Sequence, residues 1–469
     1  MRTQRPRFGS LNFAWAFSII VMLALQPAVA RSEACRILVV EAKTGWPVPL
    51  VELRTTHLER FVTDNAGLIA FDSPELMGRE TWFTVIGHGY EVPKDGFGYH
   101  GVRLKPEPGK TLKVEVNRTV PAQRMGRLTG AGLFAESQKL GEAALLEETG
   151  VLGCDSVQNA VFGGRLFWLW GDTTLAKYPL GVFDGTAATT PLQPLASLEP
   201  PLRLKYTYFT DAKGAPRGIA PLAGKGPTWL TGLATLKDRE GTPHLVASYM
   251  KVQGMMDVYE WGQCVWNEEK SVFDPLHILW TRSASGPKAP RVPEGHPVEW
   301  LDPEGRQWLL FGNPFPTLRC PATFEAWQNL STWETLTPQK LLKAAKSGGD
   351  IQPHSGSIAW NPHRKRWVTV FMENDGHPSR FGELWYAESE APIGPWGLAV
   401  KVVTHENYTF YNPRLHPEFT EKNSPYLCFE GTYTMQFADK PPPTARYDYN
   451  QILYRLDLDE PELAPARGK

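Results

Sequence analysis

Cysteine is scarce in this 469-residue chain: Cys35, Cys154, Cys264, Cys320 and Cys428 are its five, none in CxxC spacing. That excludes a zinc knuckle or a disulfide framework and makes buried thiols, packed as small hydrophobes, the expectation. An excess of either charge is lacking as well. The 49 basic and 50 acidic residues leave a net −1, which argues against a nucleic-acid partner. Helical periodicity is nearly missing beyond residue 125; the clearest stretch is Pro338–Lys346, with a turn or two near Ala143. Only one long apolar run exists, and it lies at the N-terminus.

That run follows the start Met1-Arg-Thr-Gln-Arg-Pro-Arg7, with its three arginines and no acid. It covers about residues 13–25 and ends in Ala28-Val29-Ala30, a small-x-small pattern before Arg31. Basic, apolar and small-residue segments in this order read as a secretory signal over residues 1–30. The run is shorter than the roughly 20 apolar residues that span a bilayer. Export to the periplasm or the exterior, with no membrane attachment after cleavage, is the expectation.

Residues 34–118 read as a small β-sandwich. Short strands such as Cys35–Glu41, Gly67–Phe71, Thr81–Ile86 and Thr111–Asn117 are bounded by Gly, Pro, Asn and Asp. The stretches Gly45-Trp-Pro-Val-Pro-Leu-Val-Glu-Leu53 and Thr63-Asp-Asn-Ala-Gly-Leu-Ile-Ala-Phe71 resemble carboxypeptidase regulatory-like, transthyretin-like sandwiches. The resemblance implies a structural or presenting role. A link near residues 119–127 follows.

Residues 125–460 repeat one unit, a strand, a tight turn and a second strand rich in Trp, Phe, Leu and Val. Five hairpins stand out, turning at Gly163-Gly164, Asp238–Gly241, Asp302–Gly305, Asn361-Pro362 and Glu421–Ser424. Their spacing suits a five-bladed β-propeller, with a two-sheet sandwich as the alternative. The fold class is therefore all-β, a small sandwich followed by a propeller.

Hairpin register locates the polar residues. A two-residue Gly163-Gly164 turn pairs Phe162 with Arg165 and so sets Asp155 opposite Asp172, with Cβ atoms about 4.5–5.5 Å apart. Two carboxylates so placed destabilise each other unless burial raises the pKa of one or a divalent cation lies between them. The same counting sets His354 near Glu373, Glu430 opposite Arg414 and close to Asn412, and His296 near Asn313. Each hairpin thus delivers polar side chains to one end of its first two strands, which in a propeller is the central funnel. Individually, His354 reads equally as a core histidine and Arg414–Glu430 as a plain salt bridge.

Gly153-Cys-Asp-Ser156 with Leu169-Trp-Gly-Asp-Thr173, Ser355-Gly-Ser-Ile-Ala-Trp-Asn-Pro362, Glu383-Leu-Trp-Tyr-Ala-Glu388, Phe410-Tyr-Asn-Pro413 and Phe429-Glu-Gly-Thr-Tyr433 together resemble the five-bladed propellers of a glycoside hydrolase clan. They are most similar to the uncharacterised family 4185 and its arabinanase relatives, and more distantly to glycoside hydrolase families 43 and 117. The resemblance implies hydrolysis of a poly- or oligosaccharide by funnel carboxylates, with a base on the first blade that Asp155 matches; blades two and three offer no equivalent of the clan's further acids. On this reading Asp155 or Asp172 activates water or attacks the anomeric carbon, and Glu373 or Glu430 protonates the leaving oxygen. His354 tunes Glu373, while Asn412, Arg414, His296 and Asn313 hold the sugar. The competing reading is a non-catalytic glycan-binding propeller; a protein-binding propeller would need an apolar funnel instead. The first expected outcome concerns export: mass spectrometry of the secreted protein should give a mature N-terminus at or close to Arg31.

Overall fold

The computed structural model describes residues 33–142, 149–192, 198–254, 256–283, 285–405, 408–421, 423–438, 444 and 446–467. The segment read as an export signal and the turn expected near Ala143 lie outside these residues.

The N-terminal part is two four-stranded sheets face to face. One orders Leu68–Phe71, Cys35–Glu41, Thr111–Arg118 and Tyr90–Glu91; the other orders Arg60–Val62, Glu52–Thr55, Thr81–Ile86 and Gly101–Leu104. Alternating residues point inward, so Ile37, Val39, Val114 and Val116 meet Leu53, Phe83 and Val85 in one core.

Five four-stranded antiparallel sheets follow. Blade 1 runs Gln158–Phe162, Arg165–Trp170, Thr186–Pro191, Thr207–Tyr208, and blade 2 runs Thr228–Lys237, Pro243–Gln253, Asp257–Asn267, Val272–Thr281. Blade 3 runs Val298–Leu301, Gln307–Gly312, Pro316–Pro321, Glu334–Thr335, and blade 4 runs Pro353–Asn361, Arg366–Glu373, Leu384–Ser389, Val400–Val403. Blade 5 has Thr409–Leu415, Tyr426–Thr434 and Asn450–Asp457, and its fourth strand is Gln123–Arg127, from before blade 1. The ring is thereby closed by the two ends of its own sequence.

The apolar clusters show the radial packing. Trp168 and Trp170 face Cys428 and Leu453 of blade 5, while Phe167 and Leu169, between them in sequence, face Leu245 and Trp266 of blade 2. Further clusters join blades 2 and 3 through Leu236, Leu309 and Phe311, blades 3 and 4 through Trp300, Trp367 and Trp385, and blades 4 and 5 through Val370, Phe410 and Phe429. A strand buried on both faces explains why Arg165-Leu-Phe-Trp-Leu-Trp170 carries no polar residue after Arg165. All five cysteines are buried and free.

No helix forms at Pro338–Lys346. Leu342 and Lys343 pair with Ile351 and Asp350, and Ala344 bridges to Ala399. Leu342 and Ala344 are buried in the cluster with Trp396 and Ala399. A nine-residue segment beginning at proline cannot carry the cost of helix nucleation alone, and this burial settles it as a strand.

The sandwich docks on blade 5. Glu52, buried at its surface, accepts from Tyr447 Oη at 2.5 Å and from Arg60 at 2.8 Å. Arg124, in the closing strand, donates to the carbonyls of Pro49 at 3.0 Å and Gly87 at 2.6 Å, and its guanidinium lies 5.2 Å from the Tyr90 ring. Its side chain is buried. Arg124→Met would leave those carbonyls buried without donors, a loss of about 3 kcal/mol. We expect a correspondingly lower Tm, with hydrogen exchange accelerating together in the sandwich turn at Gly87 and in blade 5.

Candidate functional site

At one end of the ring the five inner strands begin, and the space between them is a cavity of about 570 Å³. Every blade contributes to its wall: Asp155 and Asp172 from blade 1, Trp229 and Thr231 from blade 2, His296 and Asn313 from blade 3, His354 and Met372 from blade 4, and Tyr411 and Asn412 from blade 5.

The carboxylate pair arises from an interruption of the blade-1 hairpin. Cys154↔Thr173 and Gln158↔Leu169 keep one register on either side of it. Between them Ser156 takes φ +48°, and the strands are held by Asp155 N–H to Asp172 O (3.1 Å) and Gly171 N–H to Asp155 O (2.9 Å). Asp155 is saturated with donors. Its Oδ1 accepts from the Asp172 amide at 2.8 Å, and its Oδ2 accepts from Tyr411 Oη at 2.8 Å and Tyr449 Oη at 3.0 Å. Burial pushes its pKa up, and the two tyrosines and the amide oppose that rise. Burial, and then the Asp155 charge, hold both phenols far above their ordinary range.

Asp172 is different. Its Oδ1 is buried and has no hydrogen-bond partner among the described residues. Burial, and then the neighbouring Asp155 charge, raise its pKa to about 7 against the pull of the Trp229 indole N–H. It therefore keeps its proton up to neutral pH. Both histidines in the wall are held neutral at that pH: burial lowers His354, and burial with the Arg414 charge lowers His296 well below the usual value. Among the described residues His354 makes no hydrogen bond through its ring; its nearest aromatic neighbour is Phe381, 4.9 Å away.

The backbone around the cavity is strained. Ser156, Met256, Phe381, Asn412, Phe437 and Tyr449 all line it with φ between +48° and +65°, six of the thirteen described non-glycine residues in that region. Left-handed non-glycine residues cost about 1–3 kcal/mol each and concentrate where a site fixes side chains against local preference. Asn412 shows the return: its Nδ2 donates to Ser156 Oγ at 2.7 Å and ties blade 5 to the carboxylate loop.

Of the nine residues singled out in the sequence, Asp155, Asp172, His296, Asn313, His354 and Asn412 share the cavity. Glu373, Glu430 and Arg414 do not line it. A register shift between Pro353 and Gly356 sets Pro353, not His354, opposite Glu373. Met372 then faces the cavity, and Glu373 turns away to accept from Trp385 Nε1 at 2.9 Å. Glu430 does sit opposite Arg414, but it is fully buried and bonds His416 Nε2 at 3.0 Å. Arg414 lies beneath the floor, donating to Asn159 O at 3.1 Å and to Leu415 O, with Glu418 at 3.6 Å. Sequence reasoning passed over Tyr411, Tyr449 and Trp229. Tyr411 had a signal in its place beside Asn412, whereas Tyr449 sits at the end of a long connection that carries none.

A divalent cation between the aspartates does not fit these residues. Both Asp155 oxygens already face N–H or O–H protons, which a cation would have to displace. Among the described residues no group of three or more His, Cys, Asp or Glu side chains is arranged for a metal ion.

The raised Asp172 pKa makes the folded protein hold a proton that the unfolded chain has released. Its contribution to stability is present at low pH and is lost as pH rises from about 4 to about 7. Asp172→Asn keeps the neutral shape without that loss. Its Tm should rise relative to wild type across this interval and stay above it at higher pH, in thermal denaturation from pH 4 to 8.

No family model matches the chain, and no curated protein does. Solved structures do resemble it. A crystal structure of a putative hydrolase from Bacteroides ovatus has TM-score 0.40 at 11% identity, over 65% of this chain and 86% of that one. An exo-1,5-alpha-L-arabinanase from a bovine ruminal metagenomic library has TM-score 0.38 at 11% identity, over 67% and 96%. A family 43 glycoside hydrolase from Bacillus licheniformis has TM-score 0.36 at 11% identity, over 65% and 71%. At these values neither substrate nor mechanism transfers.

Proposed function

We propose that the cavity binds a poly- or oligosaccharide and that the protein, exported by its N-terminal segment, hydrolyses a glycosidic bond there by general acid–base catalysis. The observation that carries this reading is Asp172, a carboxyl group in the cavity wall whose pKa, about 7, suits a proton donor at neutral pH. Asp172 gives its proton to the departing glycosidic oxygen. On blade 4, His354, neutral at that pH, takes a proton from water as the water oxygen attacks the anomeric carbon and the bond to the leaving oxygen breaks. Asp155, fixed by two phenols and an amide, supplies a negative charge beside the developing oxocarbenium ion. This charge also keeps the Asp172 proton in place before reaction.

The roles differ from those expected of the sequence. Asp155 accepts too many hydrogen bonds to be a strong base, and Glu373 and Glu430 are out of reach of the cavity. The non-catalytic reading keeps one observation in its favour: both carboxylates among the described lining residues stand on a single hairpin, and the rest of that described wall carries imidazoles and amides but no acid.

The test is a glycan-panel hydrolysis screen on the mature protein. Asp172→Asn and His354→Gln should each lower kcat by about 10²–10⁴-fold. The wild-type rate should fall on the alkaline side near pH 7, and that limb should vanish in whatever activity Asp172→Asn retains. Glycans that bind the wild type without turnover would replace this reading with the binding one.

A further inference from the structure

The cavity wall is unlike a site for charged sugars. No lysine or arginine is among the described residues that line it. Its described ionisable groups are the carboxyls of Asp155 and Asp172, the phenols of Tyr411 and Tyr449, and two imidazoles held neutral. Arg414, the guanidinium that the register brought closest, is spent beneath the floor on backbone carbonyls and Glu418. Arg380, whose guanidinium lies over the Phe381 ring, is paired with Asp375 at 2.9 Å.

Beside polar lining residues such as Gln158, Asn313 and Gln436, parts of the wall are apolar to a degree that a fully hydroxylated ring does not require. Met250 and Met256 stand on blade 2, Met372 and Phe381 on blade 4, and Phe437 on the connection after the second strand of blade 5. Phe437 is 5.5 Å from Phe381, edge to face, and the two form a continuous aromatic corner. Met256 and Phe437 remain exposed at 73% and 58% while lining the cavity, so an occupant can cover both. Thioethers and phenyl edges favour methyl groups and CH faces, and they leave a hydroxyl without a partner.

Resting on the carbohydrate reading above, we propose that the sugar seated here is uncharged and carries a methyl group in place of an exocyclic hydroxymethyl, as 6-deoxyhexoses do. The methyl packs against the aromatic corner of Phe381 and Phe437. A carboxylate at the same carbon would enter a cavity that holds the Asp155 carboxylate and, among its described lining residues, no lysine or arginine to offset it.

The test compares sugars that differ only at that carbon. Each set holds a 6-deoxyhexose, its parent hexose and the matching hexuronate, in galacto, gluco and manno configurations of both hands. Calorimetry with the full mature chain gives their Kd values, and ratios taken within a set cancel ring configuration. In the set that binds, the deoxy member should be tightest, by about 10-fold over the hexose. The uronate should be weaker than the hexose by a further factor of about 10 or more. A uronate equal to or tighter than its hexose overturns the proposal and leaves the carbohydrate reading standing, as does a hexose tighter than its deoxy form. If no member of any set binds while the glycan panel gives binding or turnover, this proposal is overturned and the carbohydrate reading stands; if the panel is silent as well, both fall.

Discussion

Everything at the cavity depends on five residues of β-strand pairing. Gln123–Arg127 closes blade 5 against Asn450–Asp457, and without it that strand is left as an unpaired edge. The convergence of five inner strands on one cavity follows from closure alone; no pair of blades produces it. The closing strand is also where the sandwich attaches. Arg124 reaches from it into the turn at Gly87, and Arg127 donates from it to Arg446 O at 2.7 Å and to Leu152 O. One strand therefore couples the sandwich, the ring and the connection that leads to Tyr449. The N-terminal module is part of the device that holds the funnel shut.

A closed ring can hold an unfavourable arrangement at its centre. Two aspartates side by side, six left-handed non-glycine residues and a half-buried carboxyl with a free oxygen all cost stability. They sit where each is constrained from two blades: Asn412 of blade 5 bonds Ser156 of blade 1, and Tyr411 and Tyr449 bond Asp155. The five interblade cores supply the compensation, and they are built from strands apolar on both faces. Strain at the axis and burial between blades are thus two sides of the same architecture.

That division explains what could be read in advance. Strands with two buried faces announce themselves as unbroken apolar runs, and Gly163-Gly164 fixes the register that brings Asp155 to Asp172; both features are local. Where register depends on an irregularity, local counting fails. A single shift between Pro353 and Gly356 moves Glu373 out of the cavity and Met372 into it, and nothing in His354-Ser-Gly-Ser357 marks that shift. Glu430 was legible as the partner position of Arg414 but not as buried, because its burial comes from His416 and the packing of blade 5 on blade 1. The strand at Leu342–Lys343 was illegible for the same reason, since Trp396 and Ala399, more than fifty residues on, decide it.

The two aspartates illustrate how nearly equal positions acquire opposite chemistry. Both stand on one hairpin, and both lose hydration. Asp155 recovers three donors, which stabilise its charge and reduce its appetite for a proton. Asp172 Oδ1 recovers no donor among the described residues, and burial, followed by the Asp155 charge, keeps its proton in place. The difference does not lie in the residue type or in the spacing, which are symmetrical about the turn. It lies in which side of the hairpin meets blade 5. The tyrosines come from there, and any blade-1 carboxylate facing them would become the fixed charge. Its partner across the strand, turned toward Trp229 of blade 2, becomes the group that can give a proton away.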